Sequence, residues 1–178
     1  MAGGRYPGMP FNQQMNFPCE LTLRTTPEGP RLYRYPAREI ETLRGRTHDL
    51  SGREIRPGEN LLEGIGGDLF DIEAVIEPAG AGEFGLVARG QRVAYHVGEA
   101  LLVCGGARNA LRPDADGRIT LRILVDRPTV AVFANGGRPA LEWCYIVPPA
   151  AKPLELFSVG SAARFVTLKV HELRSAWR

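Results

Sequence analysis

The chain has 178 residues, enough for one domain with a real core plus an appendage. Its composition is that of an ordinary globular chain, 44% hydrophobic and 24% charged, and its formal net charge of +2 lacks the basic excess that nucleic acid or an anionic membrane surface demands. No apolar run reaches the length of a membrane-spanning helix, and the opening Met-Ala-Gly-Gly-Arg-Tyr-Pro has no apolar signal-peptide core.

The first predicted element is a hairpin. Residues 20–24 and 31–35 alternate, separated by Thr26-Pro-Glu-Gly-Pro30, a stretch of turn formers. Two strands alone are marginal in water, so this hairpin must lean on something else. Residues 36–67 read as a connector. Glu39-Ile-Glu-Thr-Leu-Arg44 has the length for one or two helical turns, and Gly45 to Gly67 is polar and glycine-rich.

From Asp68 the pattern is β throughout. Phe70, Ile72, Ala74 and Ile76 alternate with acidic neighbours, and Phe84, Leu86 and Ala88 follow. Val93, Tyr95 and Val97 come next, then the run Ala100–Val103 and a turn at Asp114-Ala-Asp-Gly117. Ile119, Leu121, Ile123 and Val125 share one face, and Val130–Ala134 closes on Asn135-Gly-Gly137. Strands over Leu141–Val147, Leu154–Val159 and Phe165–Leu173 complete the set. Eight to ten short strands at regular spacing, with no helix of ten residues, predict an antiparallel two-sheet sandwich. The expected division is 1–40 for the hairpin appendage, 41–60 for a linker and 61–178 for the sandwich. Three cysteines, Cys19, Cys104 and Cys144, have no metal-ligand spacing. They are expected as buried free thiols, with a single bridge as the alternative.

Two motifs carry a family resemblance. Tyr6-Pro-Gly-Met-Pro-Phe-Asn-Gln-Gln-Met-Asn-Phe-Pro-Cys-Glu-Leu-Thr-Leu-Arg24 resembles the last propeller blade and exit linker of the family 32 glycoside hydrolases, the β-fructosidases. Leu121-Arg-Ile-Leu-Val-Asp-Arg-Pro-Thr-Val-Ala-Val-Phe-Ala-Asn-Gly-Gly137 resembles the hairpin of that family's C-terminal sandwich. Asp126, Arg127, Val130, Phe133, Asn135 and Gly136 match it, and Ala131 stands where the family usually has Glu. The resemblance implies a lectin-like (concanavalin A-like) all-β sandwich preceded by the remnant of a propeller blade. It also implies a non-catalytic role, with the sandwich packing on a catalytic propeller, stabilising it and sometimes mediating dimers. The partner would then be that propeller or a second copy of the chain, and the whole enzyme would act on sucrose, levan or inulin. Such enzymes are often secreted or periplasmic, and the resemblance leads one to expect propeller sequence upstream of Met1.

Chemistry of its own is hard to find in the chain. The family resembles other retaining glycosidases in needing two carboxylates about 5 Å apart. Its Asn-Asp-Pro, Arg-Asp-Pro and Glu-Cys motifs do not occur here, and Cys19-Glu20 has the reverse order. No catalytic residue, metal ligand or cofactor is therefore expected. His48, His96 and His171 are scattered and read as structural, and Ser51 and Ser158 lack a nucleophile-elbow context. Gly64-Ile-Gly-Gly-Asp68 precedes a strand instead of opening a helix, which is the wrong context for a phosphate loop. Four residues remain as candidate sugar ligands. Asp126 reads either as a turn cap or as an acceptor for sugar hydroxyls, with Arg127 beside it. Tyr95, beside His96, would border a groove, and Arg92 would be a further contact to the sugar. These would serve the alternative function, a fructose- or fructan-binding module similar to family 66 of the carbohydrate-binding modules, although Ala131 removes one expected acceptor. Trp143 and Tyr145 share a face assigned to the core, Trp177 is expected to anchor the C-terminus, and Tyr33 and Tyr35 are expected to be exposed once the hairpin lacks propeller neighbours.

Overall fold

The computed structural model describes residues 15–78, 80 and 82–176. The Tyr6–Gln14 part of the first motif and Trp177 lie outside the described residues. The chain opens with strands β1 (Cys19–Thr26) and β2 (Gly29–Pro36), followed by a 3-10 helix over Arg38–Leu43. Then come β3 (Arg44–Asp49), β4 (Arg53–Ile55), β5 (Phe70–Glu77), β6 (Glu83–Ala88), β7 (Gln91–His96), β8 (Leu101–Cys104) and β9 (Ala107–Ala110). After these, β10 (Ile119–Asp126), β11 (Thr129–Ala134), a 3-10 turn at Asn135–Gly137, β12 (Ala140–Cys144), β13 (Leu154–Val159) and β14 (Ala163–Leu173) complete the order.

Two antiparallel sheets stack as a sandwich. The larger runs β12-β11-β10-β5-β14-β3, with β4 also paired to β14; the smaller runs β13-β6-β7-β8-β9. Alternation decides which side chains go inward. On β10, Ile119, Leu121, Ile123 and Val125 enter the core with Ile72 and Ile76 of β5, and Phe84, Tyr95 and Leu102 meet them from the smaller sheet. Each large apolar side chain buried this way contributes about 1.5–3 kcal/mol. Trp143 and Tyr145 pack against this core, as their shared face implies. Trp143 also closes the gap between the sheets, with its indole over the turn Gly105-Gly106 that joins β8 to β9.

Three expectations need correction. Residues 41–60 are not a linker, because β3 and β4 pair along β14. Their sequences, Arg-Gly-Arg-Thr-His-Asp and Arg-Glu-Ile, lack the apolar alternation that reveals a half-buried strand. β3 lies at the sheet edge and holds its place by backbone pairing and polar contacts, which hydrophobic periodicity cannot register. The thiols are unbridged, but only Cys104 is buried, and Cys144 is exposed. Tyr33 and Tyr35 are half-buried, the first beneath the Arg24 guanidinium at 4.4 Å and the second edge-on to Phe133 at 6.2 Å.

The hairpin leans on the sandwich. β2 makes most of the contact, meeting β11 and the Asn135–Gly137 turn. A second, smaller apolar cluster forms there, on the outer side of the larger sheet. It joins Ile40, Leu124, Ala131 and Phe133 with Phe17, Cys19, Tyr35 and Ala140. One face of the hairpin shows Leu21, Leu23 and Leu32 to solvent, at 64%, 71% and 59% exposure.

Candidate functional site

The outer face of the larger sheet carries charge where a solvent-facing sheet would need none so well organised. Asp71 alternates outward from β5 and is fully buried. Arg122 from β10 grips it with both arms, Nε to Oδ1 at 3.0 Å and Nη2 to Oδ2 at 2.9 Å. Arg44, at the start of β3, donates from Nε to the same Oδ2 at 2.8 Å and reaches Glu73 with Nη2. Arg122 extends its third nitrogen to Glu41 of the 3-10 helix at 3.3 Å, and the Tyr35 ring lies 5.5 Å from its guanidinium carbon. Burial works against the charge on Arg122, but hydrogen bonding and attraction from Asp71 outweigh it and push its pKa up. For Arg44 likewise, burial is outweighed by Glu73 and Asp71. The network thus ties the helix and the hairpin to three strands of the sheet.

His171 borders this network from β14. Its Nδ1 lies 2.8 Å from Thr47 Oγ1, while Nε2 has no hydrogen-bond partner among the described residues and sits 3.7 Å from Glu73 Oε2. Burial, then the Arg44 charge, pushes its pKa below the usual imidazole value.

At the end of the same face a cleft of about 480 Å³ opens between residues 15–18, the 3-10 helix, the β10–β11 turn and residues 173–176. Its apolar surface comes from Phe17, Ile40, Leu43, Val125 and Leu173. Asp126 and Arg127 stand on its rim. Asp126 Oδ1 accepts a 2.6 Å hydrogen bond from the Arg127 N–H, so the turn-cap reading describes one of its oxygens. Arg127 donates from Nε to Asp68 at 3.0 Å, and its side chain is 59% exposed.

Arg92 and Tyr95 lie elsewhere, on β7 of the smaller sheet. Arg92 pairs with Glu83 at 2.8 Å and stacks 3.6 Å above the Phe157 ring. Tyr95 borders no groove. It is 2% exposed, packs on Phe84 at 5.3 Å between ring centroids, and donates its hydroxyl to the Leu111 carbonyl at 2.9 Å. Its place in the Val93-Ala-Tyr95 alternation turns it into the core. The four residues expected as sugar ligands therefore do not converge; only Asp126 and Arg127 share a cavity.

Ala131 also changes meaning. Its side chain is wholly buried in the cluster beneath the hairpin, so a Glu there would enter a covered contact and not a solvent-facing rim. The Arg44–Asp71–Arg122 triad escaped sequence reading altogether. Its one trace was a charged residue inside each of two strongly apolar strands, Phe70-Asp71-Ile72 and Leu121-Arg122-Ile123. Among the described residues, no group of three or more His, Cys, Asp and Glu side chains is placed to hold a metal ion.

Comparison with known proteins agrees with the strand order. The profile of "Glycosyl hydrolases family 32 C terminal" matches residues 39–172. A levanase of Bacillus sp. (strain L7) is 34% identical over 197 aligned positions, covering 97% of this chain and 21% of the levanase. A levanase of Bacillus subtilis (strain 168) is 29% identical, covering 96% of this chain and 29% of its own length. This chain therefore spans less than a third of either relative. Among solved structures, the exo-inulinase of Aspergillus awamori superposes with a TM-score of 0.81 at 19% identity, over 96% of this chain and 38% of the inulinase. Fructan 1-exohydrolase IIa of Cichorium intybus gives 0.66 at 18% identity, over 88% of this chain and 40% of that one. The sandwich, its leading hairpin and the matched span together place the chain in glycosyl hydrolase family 32, as a member of its C-terminal domain family.

Proposed function

We propose that this chain is the non-catalytic sandwich part of a β-fructosidase, and that it works by packing against a catalytic propeller and stabilising it. The whole enzyme would act on sucrose, levan or inulin. One observation carries the reading. The hairpin rests on the sandwich chiefly through β2, while Leu21, Leu23 and Leu32 stay exposed and, among the described residues, β1 pairs with β2 alone. An apolar row beside an unpaired strand edge is a surface built to be covered. Burial of that row at a domain interface would supply the stabilisation. The test has two arms. The purified chain is incubated with sucrose, levan and inulin, and no reducing sugar is expected; its release overturns the non-catalytic reading. The chain is then co-expressed with a family 32 propeller truncated before its own sandwich. Retention on the propeller and a raised melting temperature are expected, both lost with Leu21→Ser/Leu23→Ser/Leu32→Ser. Association only with a second copy of the chain would assign the face to dimerisation instead.

A fructan-binding role is the second reading, and the cleft favours it. Asp126 and Arg127 offer an acceptor and a cation above an apolar floor, a combination suited to the hydroxyls and C–H faces of a furanose. Arg92 and Tyr95 take no part. Calorimetry at millimolar fructose, levan and inulin decides it. Heat that disappears in Asp126→Ala supports binding, and no heat in the native chain removes it.

A further inference from the structure

We infer that the corner between β11 and β12, residues 134–142, is a dock shaped for the edge of a β-strand that carries an arginine, and that β2 is its occupant. Three features build it.

The first is steric. Gly137 has φ +90° and faces the β2 backbone so closely that a Cβ there would lie 2.1 Å from the Arg34 carbonyl oxygen and 2.7 Å from its carbon. Backbone meets backbone, so no flexible side chain can move aside. The neighbouring Gly136 has a similar backbone, φ +70°, but the nearest atom to a Cβ there is Arg24 Nη1 at 3.9 Å. Both positions need glycine for the turn, and only Gly137 needs it for the dock.

The second is electrostatic. Glu142, which pairs across the sheet with Ala131, aims its carboxylate at the hairpin. Its Oε1 is shut off from solvent and makes an ion pair with Arg34 Nη2 at 3.1 Å without a hydrogen bond among the described residues, while Oε2 accepts from the Asn16 amide. Without β2 in place this carboxylate would lose its counter-charge. An unpaired charge in a half-buried position is costly, so the filled dock is the favoured state.

The third is the floor. Phe133 lies 5.7 Å below the Arg34 guanidinium and takes the edge of Tyr35, and Ala131 beside it keeps the surface low enough for the strand to approach. Farther along, Arg138 pairs with Glu28 in the hairpin turn at 3.0 Å.

This deepens the packing role proposed above by naming the corner through which it acts, but the docking itself is a property of this chain alone. It is therefore tested without a propeller, by hydrogen exchange on the full chain. Gly137→Ala is expected to lower amide protection in β2 by about tenfold or more relative to β10 and β5, and Glu142→Gln to lower it in the same segment. Gly136→Ala, which strains the same turn without touching β2, is expected to leave the ratio of β2 to β10 protection unchanged. Equal loss of that ratio in Gly136→Ala, or β2 protection that survives both Gly137→Ala and Glu142→Gln, overturns the dock. If Gly137→Ala lowers protection throughout the sandwich, Glu142→Gln alone decides. Failure here leaves the propeller co-expression result standing, and failure of that result leaves this one standing.

Discussion

Asp71 shows how much a single position can commit a fold to. A fully buried carboxylate survives only with its charge answered, and two arginines answer it. Arg122→Ala is expected to cost about 3–5 kcal/mol, the range for breaking a buried pair by removing one partner. Chemical denaturation of the full chain measures it, and a loss below 1 kcal/mol would mean that Arg44 suffices alone. His171 makes the face sensitive to acid. Four charged groups bear on it: Arg44 and Asp49 from β3, and Asp71 and Glu73 from β5. Its folded pKa lies below the ordinary value of 6.5, so the unfolded chain takes up a proton that the folded chain refuses. Stability is therefore whole above pH 6.5, begins to fall as the pH drops through that value, and goes on falling until the lower folded pKa is reached. Denaturation midpoints at pH 7.5, 6 and 5 are expected to decline, with a shallower decline in His171→Gln.

At the level of elements, legibility followed apolar alternation. β5, β10 and β11 were read closely from sequence because each sends an apolar side chain into the core at every second residue. β3, β4 and β9 were not. β3 and β4 earn their place by pairing with β14, and Ala107-Arg-Asn-Ala110 pairs with β8 at the sheet margin. Backbone pairing leaves no mark on side-chain pattern, so edge strands remain hidden until a neighbour is known. The β8–β9 turn supplies a test of a different element. A Cβ at Gly105 would fall 2.3 Å from the Trp143 indole. Gly105→Ala is expected to destabilise the chain by about 1–3 kcal/mol through overpacking, with Trp143 fluorescence changed and any fructan heat unaffected. A change in sugar affinity instead would make Trp143 a ligand-facing residue.

For the molecule as a whole, the thiols separate local from global opening. Burial pushes the Cys104 thiol up to about 12, while Cys144 is exposed. Under native conditions a thiol reagent is expected to modify Cys144 and spare Cys104 until the sandwich unfolds. Early modification of Cys104 would show that the smaller sheet opens by itself. By its own pattern the sequence determined the all-β class, the core strands and the turns between them. These depend on which residues are apolar and how often they recur, a property local to each segment. The two ordered motifs added the family, and the matched profile and relatives bear it out. Only the tertiary structure decided that Asp126 shares a cleft with Arg127 but not with Tyr95, that Ala131 lies beneath the hairpin, and that Arg44, Asp71 and Arg122 form one network. These contacts join residues many positions apart, on strands whose order in the sheet is not their order in the chain. The sequence required the hairpin to lean on something, and the structure shows that it leans on the sandwich. It is seated on the sandwich by Gly137 and Glu142, with its apolar row turned outward.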